Sequence, residues 1–249
     1  MSRRTILFLF LSVYFIQLKG QGAFEFENLE LHYLLDSLPR QDTGSLSFTS
    51  ITKEEFYATR NHPVAFDRQK ERAIEILPSG FTLKIAGSSF EFKNDTNNTY
   101  SSFYQYIGFV PLVSCHFINH CGEGSCTDYL LENLSQKKYI LPCSYDAGIQ
   151  SFSFSQSGRL LLISTSYDGP DYDAYYEYRS EIYIFRVEEN QRLDQIQLVD
   201  FSLPTQWSIE SIHWLDEGVL GLKVYLNQRP SDLVPTKNTF TYLKAYTSN

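Results

Sequence analysis

The sequence predicts a mainly β protein of antiparallel sheets, arranged as propeller-like blades or as stacked sheets, with a short helical segment near the N-terminus. Three observations predict it. Aromatic residues make up 16% of the chain, with 18 Tyr and 19 Phe against 2 Trp and a single Met; flat rings pack well across strands on a pleated surface. Several short runs alternate apolar and polar residues with a period of two, as half-buried strands do. A hairpin-like unit recurs in the C-terminal half. Hydrophobic residues at 43% and charged residues at 20% exclude a disordered or coiled-coil chain. The net charge of −8 leaves no general electrostatic footprint for nucleic acid.

Arg3 and Arg4 precede an apolar run over residues 6–16, followed by Gly20 and Gly22. A bilayer-spanning helix needs roughly 20 apolar residues, so this shorter run reads as a signal peptide over residues 1–20, cleaved after Gly20. Removing Arg3, Arg4 and Lys19 makes the exported chain more acidic. No second long apolar run follows, so no membrane span is expected in the mature form, which reads as one β-rich domain over residues 21–249. Its first part, residues 21–100, is expected to hold short helices, and residues 101–249 blade-like repeats.

Leu29, Tyr33, Leu34 and Leu38 fall at helical spacing and predict a short helix over residues 23–38, stopped by Pro39. Residues 41–50 are polar and turn-like. Thr52 with Glu55 three positions on has capping-box spacing and starts a small helix. Pro78-Ser79-Gly80 marks a turn, and residues 81–92 alternate as a strand pair around Ala86-Gly87-Ser88. Residues 94–102 form a polar loop.

From Gly148 the chain reads GIQSFSFSQSGRLLLISTSYDG, two apolar runs around the turn Gln156-Ser157-Gly158-Arg159. WSIESIHWLDEGVLGLKVYLN from Trp207 repeats the layout, turning at Leu215-Asp216-Glu217-Gly218. Each unit is followed by a further alternating strand, EIYIFRV from Glu181 and TFTYLKAY from Thr239. TDYLLENLSQKKYIL from Thr127 resembles EIYIFRVEENQRLDQIQL in its order of strand, polar turn and strand. The stretch from Phe154-Ser155-Gln156-Ser157-Gly158 through EIYIFRV resembles one blade of a WD40- or TolB-type β-propeller. Gln156 and Ser157 stand where those repeats carry proline and aspartate, and Phe185-Arg186 where a Trp-Asp pair would close the blade. The likeness is closest over residues 148–187 and looser over 104–246. It implies a propeller-like fold, for which four blades of about 40–50 residues need roughly 160–200 residues. A stack of twisted antiparallel sheets remains the other architecture.

All four cysteines, Cys115, Cys121, Cys126 and Cys143, lie in one region. In an oxidising compartment they read as two disulfides, with Cys115–Cys126 and Cys121–Cys143 among three pairings. His116 and His120 flank Cys121, but no C-x2-C knuckle accompanies them, so no metal is assigned.

Residues 167–181, YDGPDYDAYYEYRSE, are the most unusual segment. Tyrosine offers a large contact area at low entropy cost and carries a hydroxyl. Tyr167, Asp168, Asp171, Tyr172, Asp173, Tyr175 and Tyr176 are therefore the candidate binding residues, with the 121–126 turn as a second recognition loop. The same acids could begin a calcium site, but an EF-hand loop starting at Asp171 meets Tyr176 where Gly is required and Ile182 where Glu is required. Solvated acids and packed rings are the bland alternative.

No G-x-S-x-G elbow or H-E-x-x-H pair is present, and His213 beside Trp214 reads as a packed histidine. Asn94, Asn97 and Asn133 open N-x-S/T triplets, which carry glycans only in a eukaryotic secretory route. In general style the chain resembles exported bacterial proteins. The expectation is a secreted or periplasmic binding protein without a cofactor, with a protein or glycan partner and no nucleic acid. A secreted hydrolase acting on glycan or peptide through acidic residues is the alternative.

Overall fold

The computed structural model describes residues 24–36, 46–58, 66, 74–95, 101–169, 172–188, 192–226 and 239–248. The expected signal peptide, Asp171 and most of the 94–102 loop lie outside them.

The helix expected over residues 23–38 is replaced, in its described part, by strand β1 (Phe24–Glu25), a 3-10 turn at Phe26–Asn28 and strand β2 (Leu31–Tyr33). β1 runs parallel to Phe90–Glu91, and β2 runs parallel to Lys138–Ile140. Two sheet edges offer backbone partners, and Phe26 is buried among the rings of Phe92, Tyr104 and Tyr129 at 4.7, 5.8 and 5.5 Å. Those tertiary contacts outweigh a helical stripe of four residues. β3 (Ser47–Ser50), in the stretch expected to be turn, is a strand paired with the C-terminal strand. Helix α1 (Lys53–Ala58) starts on the expected capping box: Glu55 N donates to Thr52 Oγ1 at 3.1 Å and Thr52 N to Glu55 Oε2 at 2.8 Å.

β4 (Ile74–Leu77), β5 (Gly80–Ile85) and β6 (Ser88–Lys93) form a meander, as the alternation over residues 81–92 predicts. The turn between β5 and β6 uses positive φ at Ala86 (47°) and Gly87 (86°), the twist a two-residue hairpin prefers. β7 (Phe103–Val110), β8 (Cys115–Gly122), β9 (Ser125–Glu132) and β10 (Lys138–Ile140) form the second meander. β11 (Ser151–Phe154), β12 (Leu160–Ser166), β13 (Ser180–Arg186) and β14 (Gln197–Ser202) form the third, and β15 (Ser208–Asp216), β16 (Val219–Tyr225) and β17 (Thr241–Tyr246) the fourth. N-terminal strands complete three of the four sheets, whose orders are β1-β6-β5-β4, β2-β10-β9-β8-β7, β11-β12-β13-β14 and β15-β16-β17-β3.

Three buried clusters join consecutive sheets. Leu83, Phe90 and Phe92 of the first meet Ile118 and Leu131 of the second. Phe117 and Leu130 of the second meet Leu161, Ile163, Tyr183 and Phe185 of the third. Leu162, Ile182 and Ile184 of the third meet Ile212, Trp214 and Leu222 of the fourth. β12 and β13 are thus buried on both faces, which explains why LLLIS and IYIF read as continuous apolar runs. At the turn where Gln156 and Ser157 depart from the propeller repeat, a carboxylate arrives from the next sheet. Glu217 accepts from Ser155 Oγ (2.8 Å), Ser157 N (2.9 Å) and Ser157 Oγ (2.8 Å).

The two-disulfide expectation is corrected to one. Cys121 and Cys126 face each other in the β8–β9 register and are joined, with Cα atoms 4.0 Å apart. Cys115 and Cys143 are free. Cys115 lies six residues back along β8, about 20 Å away at the rise of a strand, opposite Glu132, so Cys126 is out of its reach. Among the described residues no helix is long and apolar enough to cross a membrane.

Candidate binding cleft

At one rim, the connection from β10 to β11 (residues 141–150) and the described part of that from β12 to β13 (residues 167–169 and 172–179) face the start of β15 and the end of β16. Together they line a cleft of about 550 Å³. Four aromatic rings and three carboxylates dominate its wall: Tyr145, Tyr167, Tyr176 and Tyr225 with Asp146, Asp168 and Glu210.

The first three rings form a connected group. Tyr176 packs edge-on to Tyr145 at 4.7 Å and lies 5.2 Å from Tyr167. Its hydroxyl donates to Asp146 Oδ2 at 3.0 Å, tying the two loops together. The Tyr145 hydroxyl donates to Tyr178 O at 2.6 Å, and burial pushes its pKa far up. Tyr175, next to this group, is 74% exposed.

Both loops are fixed from below. Arg179, almost wholly buried, donates to Gly169 O (3.0 Å) and Ser208 Oγ (3.1 Å), and Ser208 Oγ donates in turn to Tyr167 O. Ile209 N donates to Ser166 Oγ at 2.7 Å, which holds β15 against the end of β12. On the other side Asp128 accepts from Ile149 N at 2.7 Å and Asn119 Nδ2 at 2.9 Å. Burial raises its carboxyl pKa, and these two hydrogen bonds oppose the rise. Gly148 has φ +79°, and a Cβ there would stand 2.7 Å from Asp128 Oδ2, so the close approach of loop and carboxylate requires glycine. Cys126 N donates to Asp146 O at 2.6 Å. The disulfide end of the β8–β9 hairpin therefore braces the cleft.

Beneath the 141–150 loop, Ser144 N donates to the buried Glu181 Oε2 at 3.0 Å, and burial pushes the Glu181 carboxyl up. The free Cys143 thiol contacts Thr165 Oγ1 and Tyr145 O, each at 3.4 Å, and burial pushes its pKa up to about 11. At neutral pH it is a thiol and a poor nucleophile.

A second cavity of about 510 Å³ adjoins the cleft and shares Ile149 and Gln150 with it. It lies against β8, β9, β11 and β15, with Phe117, Phe152, Ile212 and Trp214 supplying apolar surface.

Of the residues expected from sequence, Tyr167, Asp168 and Tyr176 line the cleft, and Tyr175 stands beside it. Asp173 is exposed and does not line it, Tyr172 lies in a 3-10 turn (Tyr172–Ala174), and Asp171 is outside the described residues. The 121–126 turn supports the cleft and does not line it. Tyr145, Asp146, Gln150, Glu210 and Tyr225 were not foreseen. One signal pointed to the first two: Tyr145-Asp146 and Tyr167-Asp168 are the same dipeptide, each placed between a strand and a glycine.

The histidines flanking Cys121 have other partners. His116 Nδ1 is 3.0 Å from the Tyr106 hydroxyl, and His120 Nε2 is 2.7 Å from Ser102 Oγ with its ring stacked on Tyr104. Among the described residues no three His, Cys, Asp or Glu side chains converge on a metal position. His213 packs on Phe56 at 4.4 Å, and its Nε2 is 3.1 Å from Phe56 O. No protein-family model, curated protein or solved structure matches this chain.

Proposed function

We propose that this chain is an exported binding protein that captures a basic protein partner in the tyrosine- and carboxylate-lined cleft. The observation that carries this reading is the convergence of Asp146, Asp168 and Glu210 with the rings of Tyr145, Tyr167 and Tyr176 on one cleft. A Lys or Arg side chain entering it meets aromatic faces, each worth about 0.5–2 kcal/mol depending on desolvation, and carboxylates that accept charge-assisted hydrogen bonds. The net charge of −8 adds long-range attraction for a basic partner, and salt weakens that attraction. Export is supported by the leader pattern in the first twenty residues and by the Cys121–Cys126 disulfide. A propeller-like arrangement is supported by successive antiparallel meanders of three or four strands and by β3, which closes the last sheet from the N-terminal side. A hydrolase would draw on Asp128 or Glu181, the carboxyls whose pKa burial raises, but each already accepts a backbone N–H that holds the 141–150 loop. Binding is therefore preferred.

Calorimetric titration with an arginine-rich peptide, an acidic peptide and a neutral oligosaccharide tests the reading. The basic peptide is expected to bind, with affinity falling as salt rises. The combined Asp146→Asn, Asp168→Asn and Glu210→Gln variant should lose at least about tenfold in affinity, or about 1.4 kcal/mol, with an unchanged circular dichroism spectrum. Preference for the oligosaccharide, or equal binding by wild type and variant, would contradict the proposal.

A further inference from the structure

The cleft does not end at its carboxylates. Ile149 and Gln150 line both it and the cavity beyond, so the two spaces meet at these residues. Gln150 marks the neck: its Nε2 donates to Ile209 O at 3.1 Å, reaching from the 141–150 loop to β15. On the cleft side Asp146, Asp168 and Glu210 line the wall, with Lys223 3.9 Å from Glu210 Oε1. On the far side the apolar surface comes from Phe117, Phe152, Ile212 and Trp214. Ser153, also on the far side, has a buried hydroxyl that finds no hydrogen-bond partner. The path therefore runs from a carboxylate-rich rim to an aromatic and aliphatic wall, which stands between the sheets beside Asn119, Asp128 and His213.

We infer that the ligand is a cationic head joined to an apolar tail, with the head held among Asp146, Asp168 and Glu210 and the tail passing Gln150 into the second cavity. In a protein partner this describes an Arg or Lys next to a large aliphatic or aromatic residue in an exposed segment. The inference rests on the binding reading above and adds that the tail carries affinity. A tail that leaves water gains by its apolar area, whereas one that stays in solvent gains nothing.

A series of alkylguanidines from methyl to hexyl, titrated against the full chain, separates head from tail. The dissociation constant is expected to fall about three- to fourfold for each added methylene that enters the cavity. In a Trp207→Phe background, where Trp214 alone reports, emission should shift with the longer members and not with methylguanidine. Ser153→Leu, which adds bulk in the lining of the second cavity, should flatten the dependence on tail length and leave methylguanidine binding unchanged. If that variant does not fold, the wild-type series and the Trp214 emission still decide. Equal affinity across the series, with the head bound, overturns the tail and leaves the cleft reading standing. Binding by no member overturns both.

Discussion

Asp128 and Glu181 each hold the loop that forms one wall of the cleft, the first through Ile149 N and the second through Ser144 N. Both carboxyls are buried, and desolvation raises both pKa values. For Glu181 the folded value lies above the ordinary 4.5, so the folded state binds the proton more tightly than the unfolded chain. The resulting stabilisation is complete below about pH 4.5 and is lost as pH rises through the folded value. Of the groups around Glu181, Cys143 is pushed up to about 11, and Tyr145 and Tyr183 are pushed higher, so none titrates in that window. Glu181→Gln keeps an acceptor for Ser144 N and removes the titration. Its melting temperature relative to wild type should therefore rise between pH 4 and pH 7.5. Melting curves that stay parallel over that range would show that Glu181 is not a source of the pH dependence. At this scale the sequence was only partly legible. The acid- and tyrosine-rich loop stood out by composition, but Glu210 and Tyr225 sit in ordinary strand pattern and reach the cleft only through sheet stacking.

Among the elements, the β8–β9 hairpin shows how a disulfide that does not line the cleft braces it. Cys126 sits opposite Cys121, and its N–H donates to Asp146 O, so the bridge stiffens the strand end on which the 141–150 loop rests. A closed loop this short is expected to contribute about 2 kcal/mol to stability. Replacing both cysteines with serine should lower stability by about that amount and speed hydrogen exchange at Gly148 and Ile149, read by mass spectrometry. Unchanged exchange there would show that the loop stands without the bridge. Hairpins such as β5–β6, β11–β12 and β15–β16 were legible because turn and strand partner lie within a few residues of each other. β1, β2 and β3 were not, because their partners lie far along the chain: Phe24 pairs with Phe90, His32 with Tyr139, and Phe48 with Ala245. No local pattern encodes such a pairing, and strands of two, three and four residues are too short for their period to separate helix, turn and strand. The number of disulfides was misjudged for a related reason. Composition gives an even count of cysteines, whereas pairing depends on register, and register places Cys115 opposite Glu132.

Across the whole molecule, the two rims of the sheet stack differ in chemistry. One carries the tyrosine and carboxylate cleft. On the other, Glu217 is fully engaged by Ser155 and Ser157 and links the third sheet to the fourth. Arg159 and Arg186 line the neighbouring depression there, beside Glu188. A basic partner should therefore favour the tyrosine rim, although the net charge of −8 attracts it to the whole chain. The most direct measurement is a titration of the arginine-rich peptide into isotopically labelled protein, followed by backbone amide resonances. Shifts are expected at Asp146–Gln150, Ser166–Asp168 and Ile209–Glu210, with Ser157–Leu160 and Glu217–Gly218 unmoved. Shifts concentrated on the latter turns, or scattered over the surface with no cluster at the cleft, would contradict a binding site at the tyrosine and carboxylate rim.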